Sequence, residues 1–355
     1  MTTVLILGAG GSAAANVVDS LRRSEHPYSL VGADASPVRL HLSSCEDRIV
    51  LPRASDPAYP EQLAQAAQTW NCDIIHPQAD PDVLAVGRIR DVLPALTYLP
   101  PQSALELAAD KMALAERLRT ESVPVPDAVL CDSIDDVVPL TEKLLADHQR
   151  VWVRARSGAG ARASLPVGTG AQADAWVRWW GDERGLVPSD FMLSEYLPGR
   201  EFAYQSVWQD GELVAGQARQ RIEYLYGHLT PSGQTSTPAV ARTVRMPAID
   251  EVATRAIRAL DPEPRGVYCV DMKESMDDRP KITEINAGRF FTTSNFFAAA
   301  GLNMPDQLMR CALGERPQRC GSSPLEPDLY WVRMVDMGYA LVPGDELDRW
   351  PRPNH

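Results

Sequence analysis

The stretch GVYCVDMKESMDDRPKITEIN, residues 266–286, decides the fold of this chain. Its two ends alternate and are rich in β-branched and aromatic residues, which is typical of strands. Its polar centre contains two aspartates and ends in proline, which is typical of a turn. The pattern therefore predicts an antiparallel hairpin. With the turn centred on the Asp-Asp pair, Asp271 falls opposite Glu284.

Three oxygen-bearing side chains share one face of this predicted hairpin. Alternate residues of a strand point the same way, so Asn286 lies on the face of Glu284, and it falls opposite Cys269. The facing carboxylates of Asp271 and Glu284 repel each other, and a bound cation reverses the sign of that interaction. Magnesium prefers a few carboxylate or amide oxygens together with substrate phosphates. The pattern alone fits a magnesium site and a solvent-facing polar strand about equally well.

The bulk composition is that of a globular protein. The chain has 355 residues, of which 45% are hydrophobic and 23% are charged, an amount suited to two or three domains. The formal net charge of −12 argues against nucleic-acid and anionic-membrane partners. Six scattered cysteines without a paired spacing indicate a cytoplasmic location and no zinc site. We expect no signal peptide and no membrane span, because no basic segment precedes the first strand and every apolar run is short.

The sequence pattern divides the chain into successive regions. Strands that alternate with helices predict a Rossmann-like parallel α/β domain over residues 1–105. An α+β domain is expected over residues 106–318, with a smaller lobe over about 127–195 that contains a Trp-rich helix. The polar stretch 232–244 is predicted to be a mobile loop. The tail, residues 319–355, carries a β-like segment and has no assigned role.

A glycine turn follows the first strand. Gly8-Ala9-Gly10-Gly11 lies between a strand and a helix, which is the setting of a dinucleotide-binding turn, and Asp34 ends the second strand as a ribose-binding acid does. One interpretation is NAD binding, which fits an NAD(P)-dependent oxidoreductase. The other is a tight turn whose glycines serve packing, and the turn alone does not separate the two.

Three further stretches have the residues of a nucleotide site. In VWVRARSGAGARAS, residues 151–164, a strand delivers Arg154 and small residues follow, which lets backbone N–H groups approach a phosphate. Lys111 lies at the start of a helix, where its positive charge interacts unfavourably with the helix dipole. A nearby anion would explain why a lysine occupies this position. LSEYLPGREF, residues 193–202, joins an apolar strand to Glu201, which suits a base slot and a ribose acceptor. Taken singly, residues 151–164 also fit a flexible loop, Lys111 a solvated lysine, and residues 193–202 a plain β-turn.

Taken in order, these stretches resemble the ATP-grasp superfamily, in particular the carboxylate–amine ligases similar to one half of the carbamoyl-phosphate synthase large subunit. The specific parts are DKMALAERL, EYLPGREF and the EIN that follows a VD strand. The resemblance runs from about residue 1 to residue 315. It implies an ATP-grasp fold, in which two α+β lobes clamp ATP, preceded by a Rossmann-like domain that does not use NAD.

The resemblance also implies a role for each candidate residue. The implied ligands of Mg²⁺ (or Mn²⁺) are Asp271, Glu284 and Asn286. The implied ATP-binding residues are Lys111, Arg154, Ser157, Gly158, Gly160, Glu195, Tyr196, Leu197 and Glu201. The implied catalytic cations are Lys111, Arg154 and Arg289.

The implied reaction is ATP-dependent C–N bond formation. A carboxylate attacks ATP to give an acyl phosphate and ADP, and an amine then displaces phosphate to form an amide. An amino acid or small peptide is the expected substrate, and the arginine fork suits binding of its carboxylate. The candidates for that contact are Arg221, Arg242 and Arg289. A homodimer is a candidate assembly, and an oxidoreductase and a non-catalytic nucleotide-binding regulatory protein are the alternative functions.

Overall fold

The computed structural model describes residues 1–334 except 159, 160, 162 and 236. This described part of the chain contains three β-sheets, and the candidate site lies where they meet. None of its helices is long and apolar enough to cross a lipid bilayer.

The first sheet is parallel, with the strand order β3-β2-β1-β4. Its strands are β1 (Thr2–Leu7), β2 (Tyr28–Asp34), β3 (Asp47–Val50) and β4 (Ile74–Pro77). Its helices are α1 (Ser12–Arg22), α2 (Pro37–Leu40), α3 (Tyr59–Thr69) and α4 (Asp80–Ile89). β1 is apolar on both faces because both faces of a parallel sheet are covered. The predicted Rossmann-like α/β arrangement of this region is confirmed.

Two helices lead from the first sheet to the small lobe. They are α5 (Gln102–Ala109) and α6 (Lys111–Thr120). Asp110 separates them because its carboxylate caps α6 and accepts hydrogen bonds from the backbone N–H groups of Met112 and Ala113. Lys111 is therefore fixed as the first residue of α6.

The small lobe is built on an antiparallel sheet with the strand order β5-β8-β6-β7. Its strands are β5 (Ala128–Leu130), β6 (Val151–Ala155), β7 (Leu165–Val167) and β8 (Phe191–Glu195). Its helices are α7 (Ile134–Leu145) and α8 (Gly170–Arg184). The small lobe has its own apolar cluster, which includes Val153, Val177 and Phe191.

The third sheet is the largest, with the strand order β13-β12-β9-β10-β11-β15 and with β14 beside β10. Its strands are β9 (Glu201–Gln209), β10 (Glu212–Tyr224), β11 (Pro238–Thr243), β12 (Gly266–Glu274), β13 (Pro280–Ala287), β14 (Gly321–Ser322) and β15 (Tyr330–Val332). Its helices are α9 (Pro247–Leu260), α10 (Ser294–Ala299) and α11 (Met304–Ala312). Asp210 and Gly211 both have positive φ, as a tight hairpin turn between β9 and β10 requires.

The prediction of a loop over residues 232–244 is wrong for its second half. β11 occupies residues 238–243 and pairs with β10 and β15. Its small residues Ala239 and Ala241 are buried. The polar composition of the stretch therefore hid a strand whose alternate positions are small and apolar. The β-like segment predicted in the tail begins with β15, and the rest of it lies outside the described residues.

The first and third sheets share apolar clusters. One cluster joins Leu5 of β1 with Tyr268 and Ile285 of the third sheet, and another joins Leu21 of α1 with Phe297 of α10. The small lobe contributes to neither cluster. Hence the first sheet packs against the third sheet, and the small lobe has an apolar core of its own.

Candidate active site

The β12–β13 hairpin has the register expected from the sequence. Asp271 pairs with Glu284 and Cys269 pairs with Asn286, which confirms the predicted pairing. A register shift follows immediately after Asp271. The amide nitrogen of Asn286 donates to Asp271 Oδ2 at 3.2 Å and lies 3.5 Å from Glu284 Oε1. The structure therefore brings the three oxygen-bearing side chains together.

Two cations from outside the hairpin face Glu284. Lys111 Nζ lies 3.5 Å from Glu284 Oε2 and donates to the Gly158 carbonyl at 2.6 Å. Arg154 donates to the carbonyl of Thr283 at 2.9 Å, which links the small lobe to β13. Lys111 is 9% exposed, so it is not the solvated lysine that the sequence alone left open. Burial lowers the pKa of Lys111, and Glu284 opposes that shift.

The two facing carboxylates titrate in opposite directions. Burial and the neighbouring Glu284 raise the pKa of Asp271, although the guanidinium of Arg221, which is ion-paired with Asp271, opposes the rise. Burial also disfavours ionisation of Glu284, but the nearby cations, of which Lys111 and Arg154 act most strongly, and a hydrogen bond with Asp271 together lower the pKa of Glu284. Opposite shifts in a buried carboxylate pair are typical of functional sites.

The predicted phosphate loop follows β6. Ser157 and Gly158 line the cavity, and Gly158 has a φ of +91°, which favours glycine. The carbonyl of Gly158 is held by Lys111. Gly160, also predicted to bind ATP, lies outside the described residues.

The predicted adenine segment, Glu195 to Leu197, lies at the end of β8. Glu195 is 8% exposed and accepts a hydrogen bond from Lys281 Nζ at 2.5 Å. The ring of Tyr196 lies beneath Lys273 Nζ at 5.6 Å. Leu197 is buried and supplies an apolar surface to the cavity. Lys281 was not predicted from the sequence.

The carboxylate of Glu201 is engaged on both oxygens. Lys273 and Gln234 donate to Oε1 at 2.8 and 2.6 Å, and the hydroxyl of Tyr224 donates to Oε2 at 2.5 Å. None of these three partners was predicted. Lys273 was accessible to sequence reasoning because it lies two residues after Asp271 and so shares its face of β12.

The arginines predicted to bind substrate do not lie together. Arg221 and Arg289 line the cavity, whereas Arg242 does not. Arg242 instead donates to Gln220 and Asp328. The reason is strand parity: Arg242 pairs directly with Gln220 and shares its face of the sheet, while Arg221 is on the opposite face. The structure thus gives no support to the placement of Arg242 in the site.

These residues surround a cavity of about 930 Å³. The predicted site residues that line it are Lys111, Arg154, Ser157, Gly158, Glu195, Tyr196, Leu197, Glu201, Arg221, Asp271, Glu284, Asn286 and Arg289. The cavity is also lined by residues from helices of the first-sheet region, which include Ser12, Arg39 and Asp80. A cavity of this size suits a nucleotide together with a second small molecule.

Asp34, which the NAD interpretation assigns to a ribose, is used within its own sheet. Its carboxylate accepts hydrogen bonds from the backbone N–H groups of Gly10 and Ser36, at 3.0 and 2.8 Å. The methyl group that alanine would add at Gly10 meets the Cβ atom of Arg39 at 2.6 Å. Hydrogen bonds to Asp34 and close packing of Gly10 against Arg39 therefore stabilise the turn, in agreement with the packing interpretation.

A separate group of potential ligands lies beside the adenine segment. Asp127, His148 and Glu195 have ligand atoms within 4.8 Å of one another. The charge of Glu195 is already balanced by Lys281, and Asp127 is exposed. This group is distinct from the three hairpin residues predicted to bind magnesium.

No family model and no curated protein matches the sequence. Solved structures of similar fold exist. An L-amino acid ligase from Bacillus licheniformis is 14% identical over 88% of this chain and 74% of its own, with a TM-score of 0.65. The biotin carboxylase domain of Hydrogenobacter thermophilus 2-oxoglutarate carboxylase, in complex with MgADP, ADP and bicarbonate, is 13% identical over 93% and 73%, with a TM-score of 0.70.

A carboxyaminoimidazole ribonucleotide synthase from Aspergillus clavatus, in complex with ATP, is 16% identical over 93% of this chain and 80% of its own, with a TM-score of 0.67. All three similar proteins are ATP-grasp proteins, and each match covers most of both chains. The chain therefore has the ATP-grasp fold, preceded by a Rossmann-like parallel α/β sheet.

Proposed function

We propose that the protein is an ATP-dependent carboxylate–amine ligase that forms an amide or peptide bond on an amino acid or small peptide. The observation that carries this proposal is the convergence of Asp271, Glu284 and Asn286 with buried cations at one cavity between two lobes. The solved structures of similar fold support it, because they include an amino acid ligase.

ATP is assigned to the cleft between the small lobe and the third sheet. In this proposal the base lies against Tyr196 and Leu197, and Glu201 accepts hydrogen bonds from the ribose. Ser157 and Gly158 lie beside the phosphates, where small residues let backbone N–H groups approach oxygen atoms. Two proteins of similar fold have ATP or MgADP in their structures, which supports this assignment.

A divalent cation fits the hairpin residues. Two carboxylates and an amide oxygen are the hard donors that Mg²⁺ or Mn²⁺ prefers. To act as a ligand, Asn286 would turn its amide oxygen from Arg289 toward the carboxylates. The mutual repulsion of Asp271 and Glu284 across the strand pair is the electrostatic feature that a cation relieves. When bound, the metal supplies charge neutralisation for the terminal phosphates of ATP.

The protein's own groups act mainly by positioning and by offsetting charge. A substrate carboxylate oxygen attacks the γ-phosphorus, the bond to the β–γ bridging oxygen breaks, and ADP leaves with that electron pair. Lys111, Arg154 and Arg289 offset the charge that develops on the phosphoryl oxygens. The amine then attacks the acyl carbon, phosphate leaves, and the amine loses a proton. The products are an amide, ADP and phosphate.

In this proposal the acid or amine substrate binds near Arg221. This side chain is 13% exposed, is paired with Asp271 and lies over the ring of Phe291. A guanidinium held in this way can pair with a carboxylate through its remaining donors. An amino acid or a small peptide carries a carboxylate of this kind.

A phosphate-release screen tests the proposed function. Purified protein with ATP and Mg²⁺ is incubated with pairs of amino acids, and phosphate, ADP and the amide product are measured. We expect release to depend on the correct acid and to form amide only when the amine is present. Glu284→Gln should abolish release, and the exposed control Asp91→Asn should not. A fully active Glu284→Gln variant, or phosphate release that never yields amide with any pair, contradicts the proposal.

A further inference from the structure

Arg289 is held by a residue of the first sheet region. Asp80 is the first residue of α4, and both of its carboxylate oxygens accept hydrogen bonds from Arg289. The Nη2 atom of Arg289 lies 3.2 Å from Asp80 Oδ2 and also donates to Asn286 Oδ1 at 2.5 Å. A bidentate pair of this kind fixes the plane of the guanidinium as well as its position.

Arg289 is largely buried among other charged groups. The side chain of Arg289 is 11% exposed, so its charge is largely removed from water. Two further buried cations, Lys111 and Arg154, act on the nearby Glu284. Asp80 is the carboxylate that forms an ion pair with Arg289. Asp80 is therefore the counter-charge that keeps Arg289 in a crowded cationic region.

The backbone of Arg289 is directed by the same helix. Gly288 has a φ of +84°, and a Cβ atom at this position would lie 2.7 Å from Cγ1 of Val83 in α4. The same atom would lie 3.2 Å from side-chain atoms of Leu99 and Leu105. Hence α4 contacts the chain immediately before Arg289 through Val83 and holds its side chain through Asp80.

We propose that Asp80 is a positioning residue that orients Arg289 for phosphoryl transfer, which makes the first sheet region a working part of the active site. This inference rests on the proposed ligase function. Asp80 acts through Arg289 and leaves ATP binding to the other residues of the cleft. Its loss therefore changes turnover and leaves the affinity for MgADP unchanged.

The contact itself is tested without any substrate. In ¹H–¹⁵N spectra of the ligand-free protein, the Nε–H resonance of Arg289 is assigned by its absence in Arg289→Lys. We expect this resonance to be retained in the control Asp91→Asn, to shift in Asp80→Glu, and to be lost or moved to the position of exposed arginines in Asp80→Asn. An unchanged resonance in Asp80→Asn overturns the proposal.

The positioning role is tested by a double-mutant cycle. We expect Asp80→Asn to lower kcat about 100-fold, because a misplacement of about 1 Å has an effect of that order, with the KM for ATP and the Kd for MgADP unchanged. Asp80→Glu should restore part of the rate. In an Arg289→Lys background, Asp80→Asn should change kcat less than about 3-fold, since the two residues act as a unit.

An equal loss of kcat in both backgrounds overturns the inference, because Asp80 would then act independently of Arg289. A wild-type protein that fails every phosphate-release screen overturns the proposed function and the catalytic part of this inference together. The arginine resonance still decides whether Asp80 fixes Arg289. The two failures are therefore distinguishable.

Discussion

Replacing Gly288 with alanine measures how tightly the hairpin is packed against α4. The change adds a Cβ atom 2.7 Å from Val83 Cγ1, at a residue whose φ is +84°. The left-handed backbone costs about 1–2 kcal/mol for an L-residue, and overpacking adds about 1–3 kcal/mol. We therefore expect Gly288→Ala to lower the free energy of unfolding by about 2–5 kcal/mol.

Gly314 provides a matched control for that change. Its φ is +80°, and nothing lies within 4 Å of the Cβ atom that alanine would add. Gly314→Ala therefore carries the backbone strain without the steric contact, about 1–2 kcal/mol. Urea denaturation of both variants, monitored by tryptophan fluorescence, gives the difference between their free energies of unfolding. In a Gly288→Ala background, Val83→Ala should cost less than it does alone, because it removes the contacting methyl group.

Equal destabilisation by Gly288→Ala and Gly314→Ala, with no coupling to Val83, would refute the packing argument. Turnover gives a second criterion. Gly288→Ala should lower kcat because it displaces the residue that precedes Arg289, whereas Gly314→Ala should leave kcat unchanged because Gly314 follows α11 and does not line the cavity.

Other expectations concern single groups of the site and of the core. Lys111→Met should lower kcat about 100-fold, as loss of one preorganised charge contact does, and an unchanged kcat would remove Lys111 from the phosphoryl site. Glu201→Gln should raise the Kd for MgADP about tenfold, or about 1.4 kcal/mol, in calorimetric titrations; an unchanged Kd would exclude Glu201 from ribose binding. Burial lowers the pKa of His76 from 6.5 to about 3. As the pH falls below 6.5, His76 therefore becomes protonated in the unfolded chain while it stays neutral in the folded protein, and the folded protein loses stability. The loss between pH 6.5 and 5 should be about 1.5 kcal/mol and should be absent in His76→Gln, and an equal loss in that variant would refute this origin.

The core of the site was predictable from local pattern. Period-two alternation and the polar turn were enough to place Asp271 opposite Glu284, because hairpin register follows from turn position. Motif order predicts that Lys111, Arg154 and Glu201 bind the nucleotide, and all three line the cavity. Such information is contained in short stretches of sequence.

Other features depend on contacts that no short stretch contains. The pairing of Asp80 with Arg289 joins residues 209 positions apart. Lys281 of β13 lies opposite Lys273 of β12 because the strand register shifts after Asp271. Strict alternation of residues does not reveal that shift. The position of Arg242 depends on strand parity, which the polar composition of residues 232–244 conceals, because that composition favours a loop.

The central claim is that Asp271, Glu284 and Asn286 hold a divalent ion beside a bound nucleotide. The most direct measurement is anomalous diffraction from crystals of the protein grown with ADP and Mn²⁺. We expect one strong manganese peak between the carboxylates of Asp271 and Glu284, within coordination distance of a nucleotide phosphate. Bound ADP with no peak at the hairpin, or with manganese only at the Asp127, His148 and Glu195 group, would contradict the claim.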